Sequence, residues 1–281
     1  MQELVFLKLG GSLLTDKTRL KALRAPVLER LAAEVAAALA EQPDLRLLIG
    51  HGSGSYGHVT ASRYHTRAGV RSPEAWRGYA DTALVAGQLN RLVLDALRGA
   101  GVPVLPVQPS ASACCRDGEL QSLDERPVRV ALEHGLVPVV YGDVALDEVR
   151  GGTIISTEEI FGWLAARLCP ARVVLAGEMP GVLRFDPRDT PAGAPQLAEA
   201  VIPQIAPPGL GELARILGDS RGVDVTGGML SKVQDMVALL QNTPTLRCVQ
   251  LVSGLTPGLV RSVLLDASLR AGTTIQRAIE G

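Results

Sequence analysis

The segment LVFLKLGGS, residues 4–12, joins a short apolar run to two glycines. The apolar run at its start, Leu4–Leu9, has the length of a buried β-strand, and the two glycines end this run. A similar arrangement follows, since an apolar run at residues 45–49 precedes the glycine-rich segment HGSGSYGH, residues 51–58. Ligands of open α/β sheets bind beyond the carboxyl ends of the strands. Both glycine clusters are therefore candidate ligand sites.

The rest of the chain alternates short apolar runs with helical patterns. Further strands are predicted at residues 102–107, 136–141, 173–176 and 248–252, with a hairpin at 144–155. Helices are predicted at residues 26–40, 73–98, 128–133, 158–168, 229–240 and 259–269. This alternation indicates an α/β fold with a mainly parallel sheet that is covered by helices on both faces.

A chain of 281 residues is long enough for one large α/β domain or two small ones. The stretch at residues 187–211 is rich in Pro and Gly and is the least regular part, so we interpret it as a mobile flap or a boundary between lobes. We predict a single domain over residues 1–281, with approximate lobes at 1–170 and 171–281.

The composition excludes several classes of function. The 28 Lys and Arg residues nearly balance the 29 Asp and Glu residues, so the net charge of −1 gives no field to hold nucleic acid or an anionic membrane. No apolar run approaches the roughly 18 residues that suggest a membrane span, and we expect a cytoplasmic protein. The four cysteines show neither a disulfide framework nor a zinc spacing. His51, His58 and His65 recur every seven residues, which defines no common face, so no metal site is predicted.

The two glycine clusters have the chemistry of anion cradles. Closely spaced small residues let backbone N–H groups approach an anion, and Lys8 adds a charge beside the first cluster. The formal G-x-G-x-x-G from Gly52 to Gly57 lacks the compact βαβ unit of a dinucleotide site, because the next convincing strand begins only near residue 102. His58 can donate a hydrogen bond to a phosphate oxygen. A simple turn at Lys8 and a structural role for His58 are the alternatives.

Two later clusters complete the candidate site. The segment STEE, residues 156–159, is either a helix cap with favourable acids in the first turn or the source of a carboxylate that bridges two lysines. The segment DVTGGM, residues 224–229, opens a helix as a second anion site, and Lys232 follows one turn later. Two anion cradles with Lys8, Lys17 and Lys232 suit phosphoryl transfer, in which catalysis is mainly positioning and charge neutralisation.

In their order and separations, these motifs resemble those of the amino acid kinase superfamily and, within it, the isopentenyl phosphate kinase family. The similarity is most specific in the segment 51–58 and in DVTGGM followed by Lys232, and it includes Gln108-Pro109-Ser110. It implies an open three-layer αβα sandwich that uses ATP with Mg²⁺. The implied reaction converts isopentenyl phosphate, an alkyl monophosphate, into isopentenyl diphosphate. A homodimer is also implied, as are an acceptor-binding first lobe and a nucleotide-binding second lobe.

The resemblance also implies roles for the matching residues. Lys17 would stabilise the transition state, His58 would hold the acceptor phosphate, and Glu158 would order the two other lysines. The implied catalytic residues are Lys8, Lys17, His58, Glu158 and Lys232. The implied acceptor-binding residues are Gly52, Ser53, Gly57, His58 and Thr157. The implied ATP-binding residues are Lys8, Gly10, Gly11, Ser12, Ser53, Gly177, Glu178, Gly227, Gly228 and Lys232.

Three segments depart from the pattern of that family. Ser53 replaces a glycine, STEE at residues 156–159 replaces Ser-Gly-Asp-Asp, and GEMPG at residues 177–181 replaces Thr-Asp-Val-Asp-Gly. Two other functions stay open: a related kinase for fosfomycin or a nucleoside monophosphate, and a nucleotide-sensing domain without catalysis. The small residues of the predicted helix between 78 and 90 either leave room for a short apolar acceptor tail or pack closely against the sheet.

Overall fold

Strands and helices alternate along the computed structural model, which describes residues 3–16, 18–184, 197–206 and 228–277. Its strands are β1 Leu4–Leu9, β2 Thr15–Asp16, β3 Ala22–Leu23, β4 Arg46–His51, β5 Val104–Pro106, β6 Cys114–Arg116, β7 Glu119–Ser122, β8 Val137–Tyr141, β9 Asp143–Asp147, β10 Gly151–Ile155, β11 Arg172–Gly177, β12 Gln204–Ile205, β13 Cys248–Ser253 and β14 Thr273–Gln276. Its α-helices are α1 Gly11–Leu14, α2 Ala25–Glu41, α3 Gly54–Tyr64, α4 Pro73–Gly99, α5 Arg126–Glu133, α6 Thr157–Leu168, α7 Gly228–Asn242 and α8 Leu259–Leu265.

Eight of these strands form one large sheet, in the order β12-β14-β13-β11-β1-β4-β8-β5. Neighbouring strands are parallel except for β13 and β14, which are antiparallel. The predicted α/β fold with a mainly parallel sheet is confirmed.

Helices cover both faces of this sheet, and strand β1 lies near its centre. Leu4 and Phe6 pack with side chains of α5, α6 and α7, and the ring of Phe6 lies 5.1 Å from that of Phe161, measured between centroids. Val5 and Leu7 point to the other face and pack with α2, α4 and α8. A strand that is buried on both faces has a nearly continuous apolar sequence, which is why the sequence predicts β1 clearly.

A smaller sheet, ordered β10-β9-β6-β7, was not predicted apart from its β9–β10 hairpin. Its β6–β7 hairpin turns at Asp117-Gly118, where both residues have positive φ, 51° and 86°. Asp-Gly favours such a two-residue turn, so the sequence held a signal that our predictions missed. The Asp147 carboxylate accepts hydrogen bonds from both turn N–H groups, at 3.1 and 2.7 Å.

The helix predicted at residues 259–269 is shorter in the structure and ends at Leu265. The carboxylate of Asp266 accepts hydrogen bonds from the N–H and the hydroxyl of Ser268, at 2.8 and 2.6 Å. Such local bonds compete with the helical hydrogen bonds, which explains the early end.

The irregular stretch predicted at residues 187–211 falls largely outside the described residues, which include 197–206 of it. The single domain and its two lobes therefore stay a prediction. Within the described ranges, no helix is both long and apolar enough to cross a membrane.

Candidate active site

The carboxyl ends of the central parallel strands meet at one edge of the large sheet. The ladder pairs Leu9 with His51 and with Ala176, and it pairs His51 with Tyr141. The two glycine clusters follow β1 and β4, so they lie side by side at this edge.

A cavity of about 500 Å³ opens at this edge of the sheet. Residues from every described cluster line it. They are Lys8, Gly10, Gly11, Ser12, Gly52, Ser53, Gly57, Thr157, Glu158, Gly177, Glu178 and Lys232. The structure thus brings together segments that are as much as 224 residues apart in the sequence, counted from Lys8 to Lys232.

Part of the predicted site is not described. Lys17 and Gly227, with residues 224–226 before it, lie outside the described residues. The backbone of His58 belongs to α3, but its side chain is outside the described part. Gly228 is the first residue of α7.

The two glycine clusters touch backbone to backbone. A Cβ atom on Gly11 would lie 2.5 Å from the backbone nitrogen of Gly54 and 2.8 Å from its Cα atom. Real Cβ atoms do not approach a backbone so closely, so only glycine at position 11 allows the two segments to meet. This contact fixes the first cradle against the second.

The glycines of residues 51–58 predicted a loop, but the segment forms a loop only in part. His51 ends β4, and α3 begins at Gly54, whose φ of +50° is left-handed. The N–H of Gly52 donates to the Leu9 carbonyl at 3.2 Å, so the strand ladder uses one donor that was predicted for a phosphate. The N-terminus of α3 lies next to Ser53 on the cavity wall, where the helix dipole favours an anion. The N–H groups of Ser55 and Tyr56 are already bonded there, to the Thr15 hydroxyl at 2.8 Å and to the Ser53 carbonyl at 3.2 Å.

Thr15 holds the two clusters in place, and the sequence predictions missed it. Its hydroxyl is buried, donates to the Gly11 carbonyl at 2.8 Å and accepts from the Ser55 N–H at 2.8 Å. A lone threonine in a short strand carries no motif that would have revealed this role.

We expect Thr15→Val to destabilise the protein by about 1–3 kcal/mol, because it leaves a buried N–H and a carbonyl without their partner. The value of kcat should fall as well, since the first cradle is no longer held against α3. Chemical denaturation and steady-state kinetics measure the two effects. Thr15→Ser keeps the hydroxyl and is the matched control; a Thr15→Val protein as stable as the Thr15→Ser protein would contradict this role.

Lys8 and Glu158 form an ion pair in the cavity wall. Their side chains are only 12% and 10% exposed. Burial raises the pKa of the Glu158 carboxyl, but the charge and hydrogen bond of Lys8, together with the charge of Lys232, lower it below its ordinary value of 4.5. Glu158 is therefore ionised at neutral pH and lies within the electrostatic reach of two lysines.

The STEE segment forms the helix cap of one interpretation, and its Glu158 contacts one of the two lysines of the other. The Ser156 side chain accepts from the Glu159 N–H at 3.1 Å, and the Glu159 carboxylate accepts from the Ser156 N–H, which is a capping box. Glu158 faces Lys8 instead. Thr157 lines the cavity, but its hydroxyl donates to the His51 carbonyl at 2.7 Å.

His51 is a structural residue of β4. Its ring is fully buried and stacks on Tyr141, with 5.6 Å between the ring centroids. Its Nε2 atom lies 3.1 Å from Oδ1 of Asn90. Burial lowers the pKa of His51 more than its hydrogen bonds to Gly52 and Asn90 raise it, so the ring is neutral at neutral pH.

The other side of the cavity is formed by the segments that follow β11 and β13. The N–H of Gly254 donates to the Gly177 carbonyl at 2.7 Å. The carboxylate of Glu178 forms an ion pair of 2.6 Å with Arg24, which precedes α2. This pair joins two segments that come from different parts of the chain.

The helix α4 packs closely through a small residue, as one interpretation of its sequence predicts, but it does so against α3 rather than against the sheet. A Cβ atom on Gly78 would lie 2.1 Å from Cγ of Tyr64, so Gly78 permits close packing against α3. Thr82 and Ala86 instead line the cavity, together with Ile154. The cavity therefore has a largely apolar region beside its charged groups.

Most of the chain matches one known family: the sequence model of the amino acid kinase family covers residues 3–249. This chain belongs to the amino acid kinase family. The resemblance that its motifs indicated is thereby confirmed, and the mainly parallel sheet with helices on both faces is the amino acid kinase fold.

Individual amino acid kinases are similar to the chain over most of their length. The isopentenyl phosphate kinase of Methanothermobacter thermautotrophicus is 33% identical over 97% of this chain and 98% of its own. The isopentenyl phosphate kinase of Haloferax volcanii is 39% identical over 84% of this chain and 88% of its own. An X-ray structure of isopentenyl phosphate kinase, 30% identical, has a TM-score of 0.79 and covers 97% of this chain and 100% of that chain.

Proposed function

We propose that this chain is an ATP-dependent kinase that transfers the γ-phosphate of ATP to isopentenyl phosphate. The observation that carries the proposal is one cavity in which the Lys8–Glu158 ion pair, with the charge of Lys232 nearby, lies beside the glycine backbones and a helix N-terminus. The relatives named above support isopentenyl phosphate as the acceptor.

The proposed transfer is direct and in line. An oxygen of the acceptor phosphate attacks the γ-phosphorus, the bond from that phosphorus to the β–γ bridging oxygen breaks, and ADP leaves with the bond's electron pair. Lys8 and Lys232 neutralise the charge on the moving group, and Glu158 holds Lys8 at the point of transfer. Lys17 has the same task in this proposal, on the strength of the sequence resemblance.

The acceptor side of the cavity suits an alkyl phosphate. A phosphate monoester brings roughly two negative charges at neutral pH, which the helix N-terminus and His58 are proposed to bind. The apolar wall of Ala61, Ala86 and Ile154 is proposed to hold the hydrocarbon tail. A tail without polar atoms leaves no unsatisfied hydrogen bond against such a wall.

The nucleotide is proposed to bind on the side of Gly177, Glu178 and α7, with Gly10, Gly11 and Ser12 below its terminal phosphate. Mg²⁺ at kinase sites is held mainly by substrate phosphates and water. We therefore expect the ion to enter with ATP and to neutralise charge there. A homodimer and a cytoplasmic location remain parts of the proposal that rest on the resemblance and on composition.

A panel of acceptors tests the proposed function. ADP release is measured with ATP, Mg²⁺ and isopentenyl, dimethylallyl or geranyl phosphate, and in parallel with fosfomycin and nucleoside monophosphates. We expect the highest kcat/KM with isopentenyl phosphate. If the enzyme turns over only a nucleotide or a phosphonate, that compound is the acceptor instead of isopentenyl phosphate. ATP binding without any turnover would favour a sensing domain.

Direct transfer has its own test, in which the enzyme is incubated with γ-labelled ATP without an acceptor. No label should remain on the denatured protein, because no side chain forms a covalent intermediate in this proposal. A trapped phosphoenzyme would overturn direct transfer while leaving the choice of acceptor untouched.

His58→Ala should raise the KM of isopentenyl phosphate far more than that of ATP, and lower kcat/KM roughly 100-fold, the usual effect of losing a donor to a developing or bound oxyanion. His134→Ala, at the exposed end of α5, is the matched control and should retain wild-type kinetics. Equal losses for both substrates in the His58 variant would contradict its assignment to the acceptor.

A further inference from the structure

Adjacent carboxylates at the start of α6 contact two cations in the cavity wall. Glu158 pairs with Lys8 of β1, and Glu159 pairs with Arg67, which lies in the short 3-10 helix Thr66–Ala68 after α3. Glu158 and Glu159 are consecutive residues in the first turn of α6, so both ion pairs start from the same end of this helix. Arg67 itself lines the cavity.

The backbone of Arg67 is held firmly, so its side chain extends from a fixed point. Its carbonyl accepts hydrogen bonds from Nη1 of Arg150 at 3.3 Å and from the Thr153 hydroxyl at 3.2 Å. Both donors belong to the β9–β10 hairpin or its turn, whose Ile154 forms part of the apolar acceptor wall. Arg67 therefore belongs to the acceptor side of the cavity.

The guanidinium of Arg67 contacts its partner Glu159 only weakly. One N–H reaches the Glu159 carboxylate at 3.4 Å, and the two side chains are 41% and 31% exposed. Exposed pairs of this kind add little to stability. Glu159 has another partner in the capping box, so it does not need Arg67 to hold its position.

A third carboxylate of the cavity, that of Asp235 on α7, is influenced by the charges of both Arg67 and Lys8. Burial and, less strongly, the negative charges of Glu158 and Glu159 raise the pKa of the Asp235 carboxyl. The positive charges of Arg67 and Lys8 lower it, and the net shift is upward. Asp235 also lines the cavity. Lys8 and Arg67 thus act on the same carboxyl group, which places both cations around one region of the cavity.

From this juxtaposition we infer that Arg67 is an acceptor-binding residue that uses its guanidinium fork to hold the phosphate of the acceptor. The inference rests on the proposed function and names one more group in its acceptor site. A guanidinium presents N–H donors in a planar fork that matches two phosphate oxygens, and an acceptor phosphate carries roughly two charges to be neutralised. On binding, the phosphate takes the place of Glu159 as the partner of Arg67.

Kinetics of Arg67→Met and Arg67→Lys test this inference. Arg67→Met should raise the KM of isopentenyl phosphate at least tenfold and leave the KM of ATP within twofold, and calorimetry without ATP should show the same loss of acceptor binding. Arg67→Lys keeps the charge but not the fork, so it should recover only part of the affinity. Arg63→Met is the matched control, because Arg63 lies over the Tyr64 ring on the exposed side of α3.

Glu159→Gln separates acceptor binding from a structural role. The amide can keep the capping box but no longer competes with the phosphate for Arg67, so the acceptor KM should stay the same or fall. If Arg67 acted only by holding Glu159, both variants would weaken the enzyme in the same way, and the double variant would be no worse. That result, or an acceptor KM within twofold of wild type in Arg67→Met, would overturn the inference.

The proposed function and the role of Arg67 can be rejected separately. If the wild-type enzyme ignores isopentenyl phosphate but turns over another phosphate of the panel, the Arg67 variants are compared on that acceptor. Retained wild-type turnover of isopentenyl phosphate with an unchanged acceptor KM in Arg67→Met would instead reject only the role of Arg67.

Discussion

Lys8→Met should lower kcat at least 100-fold, because it removes a charged donor from the point at which phosphate charge develops. Loss of one such donor typically raises the barrier by about 3 kcal/mol. Lys8 extends from a central strand of the sheet, and its partner Glu158 holds it in the cavity wall. Steady-state kinetics with isopentenyl phosphate and ATP measure the loss.

In Lys8→Met, the buried carboxylate of Glu158 loses its ion-pair partner, so part of any lost activity comes from lost stability. Removal of one partner of a buried ion pair typically costs about 3–5 kcal/mol. Lys8→Met/Glu158→Gln removes both charges and should regain most of the stability, while its activity stays low. Lys21→Met is the control, since Lys21 is an exposed lysine that contacts Gln88. A double variant that regained activity along with stability would show that Lys8 is structural.

Gly11→Ala should lower kcat/KM at least 100-fold. The added Cβ would lie 2.5 Å from the backbone nitrogen of Gly54, so the two glycine clusters must separate. A displacement of about 1 Å in a positioned group costs roughly 100-fold in rate. The loss should appear in the KM of both substrates as well as in kcat, because the first cradle and the N-terminus of α3 move apart together.

Gly162→Ala is the matched control for this substitution. A Cβ atom at Gly162, in the middle of α6, would meet no atom within 4 Å. Its activity should match wild type, and its stability should rise by up to about 1 kcal/mol because alanine favours a helix. Circular dichroism and thermal unfolding show whether the Gly11→Ala protein still folds. Wild-type kinetics in a folded Gly11→Ala protein would show that the clusters tolerate separation.

Sequence patterns predicted the large sheet better than the small one. The strands that pack on both faces, such as β1 and β13, are nearly continuous apolar runs, and this pattern predicts their type and most of their extent. The strands β6 and β7 are short and partly exposed, so their sequence has no comparable signal except Asp117-Gly118 at the turn. The early end of α8 depends on the two hydrogen bonds that Ser268 donates to the Asp266 carboxylate, which periodicity does not reveal.

The site was predictable as a set of residue types and only partly as a geometry. Glycine clusters after strands and the lysines Lys8 and Lys232 were apparent from the sequence. The start of α3 within the second glycine cluster was not, because glycines favour a loop interpretation. Arg67 and Thr15 carry no motif, and their relevance appears only from what they contact.

By itself, the sequence determined the alternation of strands and helices, the positions of the glycine clusters and the family to which the chain belongs, because these depend on residues that are close together in the chain. Only the tertiary structure decided which groups meet: the side chains of Lys8 and Glu158, those of Glu159 and Arg67, and the Thr15 hydroxyl with the backbones of Gly11 and Ser55. The reason is physical. A local pattern selects the conformation of its own segment, whereas a pair of residues 150 positions apart meets only when the parallel sheet aligns the ends of its strands.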